Sequence, residues 1–376
     1  MAPSGFGPSD APARPHLWLG APSPGGLILP AANPTPSQMY APRGVYLDDD
    51  YLIVADTGNH RVLIWFGMPT TDHAPADLVL GQPDFFSEKP NGLEPARGGL
   101  HLPTGVALLD HRLYIADAWN HRILVWEHVP QTSATPPDYV LGQPRLDGII
   151  ENRGGAVSAT GMYWPFGIGS VAGHFYVTDT GNRRVLVWEG APEPDQPPAF
   201  ILGQDSPDKG MENRGLGVGP NTFRWPHAVA GTDRVLYIAD AGNHRLLGWT
   251  PPPRADQPAD FVLGQSDFAK AMEWPYGKQG PRALRFPYAL ALEGETLACA
   301  DTANNRILFW HGLPTDTFRP ADAVIGQRNF DENGENRWDA VGRDTLCWPY
   351  GLHLHRNRLA IADSGNNRVM IWEVSR

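Results

Sequence analysis

Short apolar runs, bounded by Gly, Pro, Asn or Asp, recur along the whole chain. In one representative stretch the runs are residues 104–109, 112–116 and 122–126, with a tight polar segment at 117–120 and a shorter fourth run at 139–142. Runs of this length that are rich in β-branched and aromatic residues, with turn-forming residues between them, are typical of strands. The pattern therefore predicts units of four short strands and an all-β protein.

The same unit occurs six times. An Asp-x-x-Asn-x-Arg motif begins at residues 56, 117, 179, 240, 301 and 363, so that successive copies are 61 or 62 residues apart. A Trp follows each Arg by four residues, and a Pro opens each unit, at positions 42, 103, 165, 226, 287 and 349. Self-similarity at a fixed period indicates a repeat architecture. It replaces the two or three domains that the length of 376 residues alone would suggest.

The two ends of the chain complete each other. The sixth unit stops after its third strand, whereas residues 17–20 (Leu-Trp-Leu-Gly) match the fourth strand of the first unit at residues 78–81. Four-stranded units arranged around an axis form a β-propeller, which leaves only short, protected edges. We predict a single six-bladed β-propeller over residues 15–376, closed by an N-terminal strand that completes the last blade. A flexible tail is expected at residues 1–14.

The repeated sequence resembles the NHL-repeat family of six-bladed β-propellers. Residues 55–65 (Ala-Asp-Thr-Gly-Asn-His-Arg-Val-Leu-Ile-Trp) and their five copies carry the resemblance, and residues 80–85 (Leu-Gly-Gln-Pro-Asp-Phe) are similar to a bacterial subtype. The resemblance implies a binding scaffold, because most members bind protein or RNA. Related six-bladed propellers include lyases and lactone hydrolases, so the fold alone leaves the activity open.

Composition narrows the choice of partners. The chain has 30 Lys and Arg against 41 Asp and Glu, and this net charge of −11 disfavours a nucleic acid. Two cysteines and an N-terminus without the features of a secretory signal favour a cytoplasmic location. No stretch approaches the ~18 consecutive apolar residues that a membrane-spanning helix needs. We expect a monomer that does not cross a membrane.

Residues found in every unit serve packing, so the exceptions among the repeats are the candidates for function. The residues beside each opening Pro are expected nearest the axis, on the face that bears the blade-entry loops. The candidates for ligand binding there are Arg43, Trp164, Phe166, Trp225, His227, Tyr288, Trp348 and Tyr350. A concave aromatic site with few polar groups is typical of a small-molecule or peptide pocket. Alternatively, the long entry loops fold over these rings and bury them.

Two further residues are large where the first strands of the other units have a small residue. Tyr46 and His353 stand where the other four units have Ala or Gly. They belong to adjacent blades, so we predict that they meet in or near the central channel. There they either plug the channel or line a site.

The loops between blades carry Glu-Asn-Arg three times, at residues 151–153, 212–214 and 335–337. Arg153, Arg214 and Arg337 are therefore expected on the entry face. They either form a positive cluster for an anionic or carboxylate-bearing partner, or each pairs with the Glu of its own loop.

Catalytic motifs are not recognisable in the sequence. The chain has neither a Gly-x-Ser-x-Gly elbow nor a Walker-type loop. We predict no metal site and no cofactor, because His353 and His355 lack further ligands at a fixed spacing. The favoured function is a scaffold that binds a protein, a peptide or a small anionic ligand on the entry face. The alternative is a lyase or hydrolase with His227 or His353 beside Tyr46 or Tyr288.

Overall fold

Six sheets of four antiparallel strands surround a central axis in the computed structural model, which describes residues 12–133 and 135–375. The prediction of an all-β, six-bladed propeller is confirmed. Most of the tail expected at residues 1–14 lies outside the described residues. The strands are β1 (Ala13–Gly20), β2 (Gly44–Leu47), β3 (Tyr51–Asp56), β4 (Arg61–Phe66), β5 (Leu78–Leu80), β6 (Pro103–Leu109), β7 (Arg112–Asp117), β8 (Arg122–Trp126), β9 (Tyr139–Leu141), β10 (Pro165–Val171), β11 (His174–Asp179), β12 (Arg184–Glu189), β13 (Phe200–Leu202), β14 (Pro226–Gly231), β15 (Leu236–Asp240), β16 (Arg245–Trp249), β17 (Phe261–Leu263), β18 (Pro287–Glu293), β19 (Thr296–Asp301), β20 (Arg306–His311), β21 (Ala323–Ile325), β22 (Pro349–His355), β23 (Arg358–Asp363) and β24 (Arg368–Val374).

Short 3₁₀ helices make the tight turns of the fold. Each blade has one between its second and third strands: Thr57–Asn59, Ala118–Asn120, Thr180–Asn182, Ala241–Asn243, Thr302–Asn304 and Ser364–Asn366. Others lie in the loops between blades: Pro95–Arg97, Glu151–Gly154, Glu212–Gly215 and Glu335–Trp338.

The ring is closed by the N-terminal strand, as predicted. β1 pairs antiparallel with β24, so that Ala13 lies opposite Val374 and Gly20 lies opposite Arg368. The last blade therefore has the strand order β1-β24-β23-β22 and joins both ends of the chain in one sheet. This arrangement ties the first and last blades together by backbone hydrogen bonds.

The hydrophobic core lies between neighbouring blades. One cluster, for example, joins Ile53 and Leu78 of the first blade to Ile115 and Trp126 of the second. Because the strands are buried on both of their faces, their sequences are continuous apolar runs rather than alternating ones. The Trp of each repeat lies at or near the end of the third strand, and the Trp126 indole N–H donates to the carbonyl of Thr135, 3.1 Å away.

The propeller has two faces of different construction. The entry face carries the loops between blades, the 3₁₀ helices between second and third strands, and the opening prolines. The hairpin face carries the short connections between first and second strands, such as residues 48–50. The longer links from third to fourth strands start there and run along the outer edge of the preceding blade. His73, at the tip of one link, donates its backbone N–H to Trp18 O at 2.8 Å, which covers an edge strand that would otherwise be unpaired.

A buried polar lattice ties the entry loops to the blades. Arg184 is fully buried and donates from Nε to Asp179 Oδ2 at 2.7 Å. Its guanidinium also donates to the carbonyls of Ser158 and Gly161 in the preceding loop, at 2.8 and 2.9 Å. The other Asp-x-x-Asn-x-Arg copies have the same ion pair, with N–O distances of 2.7 to 2.9 Å. Each copy therefore satisfies its own charges and fixes the loops, which is a structural role.

Candidate functional site

The residues that follow each opening Pro converge at the entry end of the axis. We call them the axial ring: Arg43, Thr104, Phe166, His227, Tyr288 and Tyr350. The Arg43 guanidinium lies 4.7 Å from the centre of the Tyr350 ring, and the Tyr350 and Tyr288 rings stack at 4.6 Å with an interplanar angle of 12°. His227 contacts Tyr288 on one side and Phe166 on the other, each at a centroid distance of 4.3 Å.

The axial ring fills the mouth of the channel. The cavity left among its side chains is about 80 Å³, well below the roughly 300–1,000 Å³ of ligand pockets. The rings are covered chiefly by one another, and the entry loops do not have to fold over them. A ligand on this face is therefore expected to contact the surface around the ring rather than enter it.

Burial alters the acid–base properties of the axial ring. His227 is 7% exposed, its Nδ1 lies 2.8 Å from the carbonyl of Trp225, and burial lowers the pKa of His227 to about 3. Burial also raises the pKa of Tyr288 and of Tyr350. An efficient general acid or base has a pKa near the working pH. The His227–Tyr288 pair is therefore a weak proton-transfer couple near neutral pH.

Tyr46 and His353 meet at the opposite end of the channel, on the hairpin face. Their ring centroids are 4.6 Å apart, and the backbone N–H of Leu47 donates to His353 Nδ1 at 3.3 Å. The Tyr46 hydroxyl donates to Asp48 Oδ2 at 2.8 Å. The two residues narrow a cavity of about 240 Å³ without closing it. Burial lowers the pKa of His353 to about 4, so this pair also holds a neutral imidazole at pH 7.

The three arginines of Glu-Asn-Arg pair with aspartates, and none joins the axial ring. Their partners in these ion pairs are aspartates rather than the Glu of the same loop, with N–O distances of 2.5 to 2.7 Å: Arg153 with Asp195, Arg214 with Asp205 and Asp256, and Arg337 with Asp344. Arg153 and Arg337 also donate from Nε to Gly142 O and Gly326 O, at the ends of the outer strands. Their charges are therefore neutralised at the periphery of the blades.

A belt of exposed aromatic side chains surrounds the axial ring. We call the following residues the aromatic belt: Tyr40, Trp119, Trp164, Trp274, Tyr276, Trp338 and Trp348. Trp119 and Trp164 stack at 4.9 Å, and the Trp348 indole N–H donates to Glu335 Oε1 at 2.9 Å. Trp225 was predicted to bind a ligand together with Trp164 and Trp348. It is half-buried, and the Arg224 guanidinium lies 4.8 Å from the centre of its ring.

The entry face exposes more large apolar side chains than the hairpin face does. Among the described residues, all of the exposed large hydrophobic side chains except Phe66 and Phe318 belong to segments of the entry face. Tyr276 is 80% exposed and Trp338 is 70% exposed. Concentrated apolar exposure on one face of a protein is typical of an interaction site.

Hydrogen bonds hold several of these aromatic residues in a strained backbone conformation. Trp164 and Trp348, directly before opening prolines, have φ values of 49° and 50°, in the left-handed region that bulky residues rarely adopt. The N–H of Trp164 donates to His121 Nδ1 at 3.3 Å, and that of Trp348 donates to Asn305 Oδ1 at 2.8 Å. The turn residue of one blade thus fixes the entry residue of the next.

Sequence reasoning did not select these turn residues or most of the belt. His60, His121 and His244 accept backbone N–H groups of the following blade, and Asn305 and Asn367 do the same in the last two blades. The signal was present, because the position directly after the Asn of each motif is His or Asn in five of six copies. Trp119 was also visible as an exception, because the other five turns have Gly or Ala at its position.

No three His, Cys, Asp or Glu side chains among residues 12–133 and 135–375 are grouped so as to hold a metal ion. Over the same residues, no helix is long and apolar enough to cross a membrane.

Known proteins resemble this chain in repeat sequence and in fold. The sequence model of the NHL repeat matches residues 39–65 and 100–126. The matched segments contain the motifs of the first and second blades. The subtype suggested by Leu-Gly-Gln-Pro-Asp-Phe is not distinguished by this match and stays a prediction. Comparison with curated protein sequences gives no match.

Solved structures share the architecture at low sequence identity. Hydrazine synthase of Kuenenia stuttgartiensis aligns over 90% of this chain and 97% of its own, at 12% identity and a TM-score of 0.50. A protein of unknown function from Bacteroides thetaiotaomicron aligns over 92% and 72%, at 12% identity and a TM-score of 0.49. The WD40 β-propeller domain of Doa1 aligns over 97% and 98%, at 10% identity and a TM-score of 0.48. Likeness at these identities concerns the fold alone.

Proposed function

We propose that this six-bladed β-propeller, whose first two blades match the NHL repeat, is a scaffold that binds a protein or peptide through the aromatic belt of its entry face. The observation that carries the proposal is the unequal exposure of large apolar side chains on the two faces. Trp and Tyr supply large contact areas with few rotatable bonds, and they are enriched among the residues that dominate binding energies.

The shape of the axial ring favours a macromolecular partner over a small molecule enclosed on the axis. The axial cavity of about 80 Å³ is too small for most metabolites. The belt instead presents ring faces and edges at the surface, from loops of several blades. A surface of this kind suits an extended segment that crosses several blades.

Charge indicates the chemistry of the partner. The chain carries a net charge of −11, which attracts a positively charged partner and repels nucleic acid. Glu335 lies beside Trp348, and exposed indole rings attract guanidinium and ammonium groups at about 0.5–1 kcal/mol each. A segment with Arg or Lys among apolar residues therefore fits the belt best.

Arg153, Arg214 and Arg337 give no support to a small anion near the axis. Each already has a carboxylate partner, so an anion would have to replace an existing ion pair. The enzyme alternative is not favoured by a specific contact, because both His–Tyr pairs are weak proton-transfer couples near neutral pH.

The test is co-purification of tagged protein from its native host, followed by affinity measurement with the purified partner. We expect Trp164→Ala combined with Trp348→Ala to weaken binding by at least tenfold, which is the range for central aromatic residues of an interface. Phe66→Ala, an exposed aromatic substitution on the hairpin face, is the matched control and is expected to leave the affinity unchanged. A partner whose affinity falls with Phe66→Ala and not with the Trp pair would contradict the proposal.

A further inference from the structure

One cavity of the entry face lies away from the axis, in the loop that leads into the fifth blade. This loop, residues 264–286, connects β17 to β18 and encloses a cavity of about 500 Å³. Phe318 and Asp331 of the following blade complete its wall. The volume falls within the range of pockets that hold small organic ligands.

This loop differs from the three loops with Glu-Asn-Arg in the residue next to the cavity. In two of the three loops with Glu-Asn-Arg, the Arg eleven residues after the strand-ending Gly donates to the carbonyl of that Gly: Arg153 to Gly142 O at 3.5 Å and Arg337 to Gly326 O at 3.2 Å. The residue at this position in the fifth-blade entry loop is Pro275, which has no side chain that can reach Gly264. Gly264 lines the cavity, on the side where the three Glu-Asn-Arg loops have a guanidinium.

A buried polar side chain without a partner faces this space. Gln279 is 8% exposed and lines the cavity, and neither its Oε1 nor its Nε2 has a hydrogen-bond partner. A buried polar group without a partner has lost its hydrogen bonds to water and gained none in return, which is unfavourable. The equivalent residues of the three Glu-Asn-Arg loops are valines, at positions 157, 218 and 341. Gln279 is thus an exception among these loops. A bound ligand would form the hydrogen bonds that its amide group lacks.

Positive charge collects around the same cavity. Its lining includes Lys270, Lys278 and Arg282, against a single carboxylate, Asp331. Arg282 is held in place, because its Nε donates to Phe318 O at 3.0 Å and its guanidinium lies 5.6 Å from the centre of the Phe318 ring. Among the described residues, neither lysine has a carboxylate within salt-bridge distance.

We infer that this cavity binds a small organic anion whose carboxylate or phosphate lies near the two lysines and Arg282. A hydroxyl or amide group of the same molecule would pair with the Gln279 side chain, which offers one acceptor and two donors. A hydroxy acid or a sugar phosphate has this combination of groups. The inference does not depend on a protein partner at the aromatic belt, because the site has its own cavity and its own charges.

The test is isothermal titration of the purified full chain at low ionic strength with two probes, malate for the carboxylate class and glycerol 3-phosphate for the phosphate class. We expect at least one probe to bind, with at least tenfold weaker affinity in Gln279→Val and in Lys278→Ala. Gln279→Val introduces the residue that the other loops have, so it is expected to fold, and its thermal unfolding is measured to verify this.

The matched control is Lys209→Ala, because Lys209 stands at the position of Lys270 in the preceding loop, where Arg214 takes the position of Pro275. Its affinity for the probe is expected to equal that of the wild type. Absence of binding by both probes would overturn the inference, and so would a probe that binds Gln279→Val as tightly as the wild type. Loss of the protein partner without loss of the probe would count against the proposed function alone.

Discussion

The two faces of the propeller are made from the same six blades, yet they differ in surface and in construction. On the entry face, exposed aromatic side chains cover a buried lattice of ion pairs and hydrogen bonds. The hairpin face has short connections and exposed ion pairs, such as Arg234 with Glu295 at 2.9 Å and Asp49 with Arg356. The entry face contains the Asp-x-x-Asn-x-Arg motif, which is repeated in every blade. It also contains the loops between blades, which differ most from one another.

Loop length explains this difference. The connection on the hairpin face can be as short as residues 110–111, whereas a connection between blades extends over residues 81–102. Long loops lose more conformational entropy when they are ordered, so they need fixed anchors. The Asp-x-x-Asn-x-Arg lattice provides the same anchor in every blade. The rest of each loop is then free to differ, and function is expected in those differences.

The largest expected effect is a loss of stability when an ion pair of the buried lattice is broken, compared with an ion pair of the hairpin face. Arg184→Met leaves Asp179 buried without its cation and releases two loop carbonyls. We expect the free energy of unfolding to fall by about 3–5 kcal/mol. Arg112→Ala removes the partly exposed pair with Glu127 and should cost at most about 1 kcal/mol. Urea denaturation of both variants measures the difference, and equal losses would contradict the assignment of the anchors to the entry face.

The pH dependence of stability tests the hydrogen bonds that the turn histidines of the entry face accept. Burial lowers the pKa of His60 and of His121 to about 4, and each accepts a backbone N–H from the next blade. The unfolded chain takes up a proton near pH 6.5, whereas the folded protein resists it until about pH 4. The free energy of unfolding should therefore be insensitive to these groups above pH 6.5 and should fall as the pH drops from 6.5 towards 4.

Asparagine at the same positions removes the titration and keeps the acceptor. Asn305 and Asn367 already make the equivalent hydrogen bonds in a left-handed backbone conformation, with φ of 53° at both. We expect His60→Asn combined with His121→Asn to make the loss of stability between pH 6.5 and 4.5 smaller. His111→Asn, at an exposed position of the hairpin face, is the control. Denaturation curves at several pH values test this, and an unchanged slope in the double variant would show that the two imidazoles are not the titrating groups.

The smallest expected effect concerns single hydroxyl groups between blades. Thr57 is buried and donates from Oγ1 to the carbonyl of Pro103 at 2.7 Å, which joins the first blade to the second. Thr57→Ala should lower the free energy of unfolding by about 1 kcal/mol. Thr296, at the start of a strand on the hairpin side, is half-buried, and its replacement by Ala should change stability by less than about 0.5 kcal/mol. Thermal unfolding of the two variants is sensitive enough to rank them.

Repetition made the fold predictable. In the second blade the predicted strands at residues 104–109, 112–116 and 122–126 agree within one residue with β6, β7 and β8. The closing strand followed from residues 17–20 alone, because their phase matched the glycines of the other blades. A single short apolar run is ambiguous between strand and helix. Here each strand is identified from six equivalent runs, which all agree.

The site was less predictable, because it depends on how side chains meet across blades. The positions after the opening prolines were found from the sequence, but their stacking into a filled axial ring depends on the width of the channel. Tyr46 and His353 were expected to meet in or near the channel, and their ring centroids are 4.6 Å apart, but the sequence did not indicate at which end of the channel they lie. The aspartates that pair with Arg153 and Arg337 lie in loops whose paths the repeat does not specify.

Site-specific photo-crosslinking compares the two faces most directly. A photoreactive phenylalanine analogue is placed at Trp338 on the entry face in one variant, and at Phe66 on the hairpin face in another, and both are irradiated in extract of the native host. Our account predicts a discrete crosslinked species from position 338 that is reduced when Trp164 and Trp348 are replaced by Ala, and none from position 66. Crosslinking from position 66 alone, or equally from both positions, would contradict a binding role for the entry face.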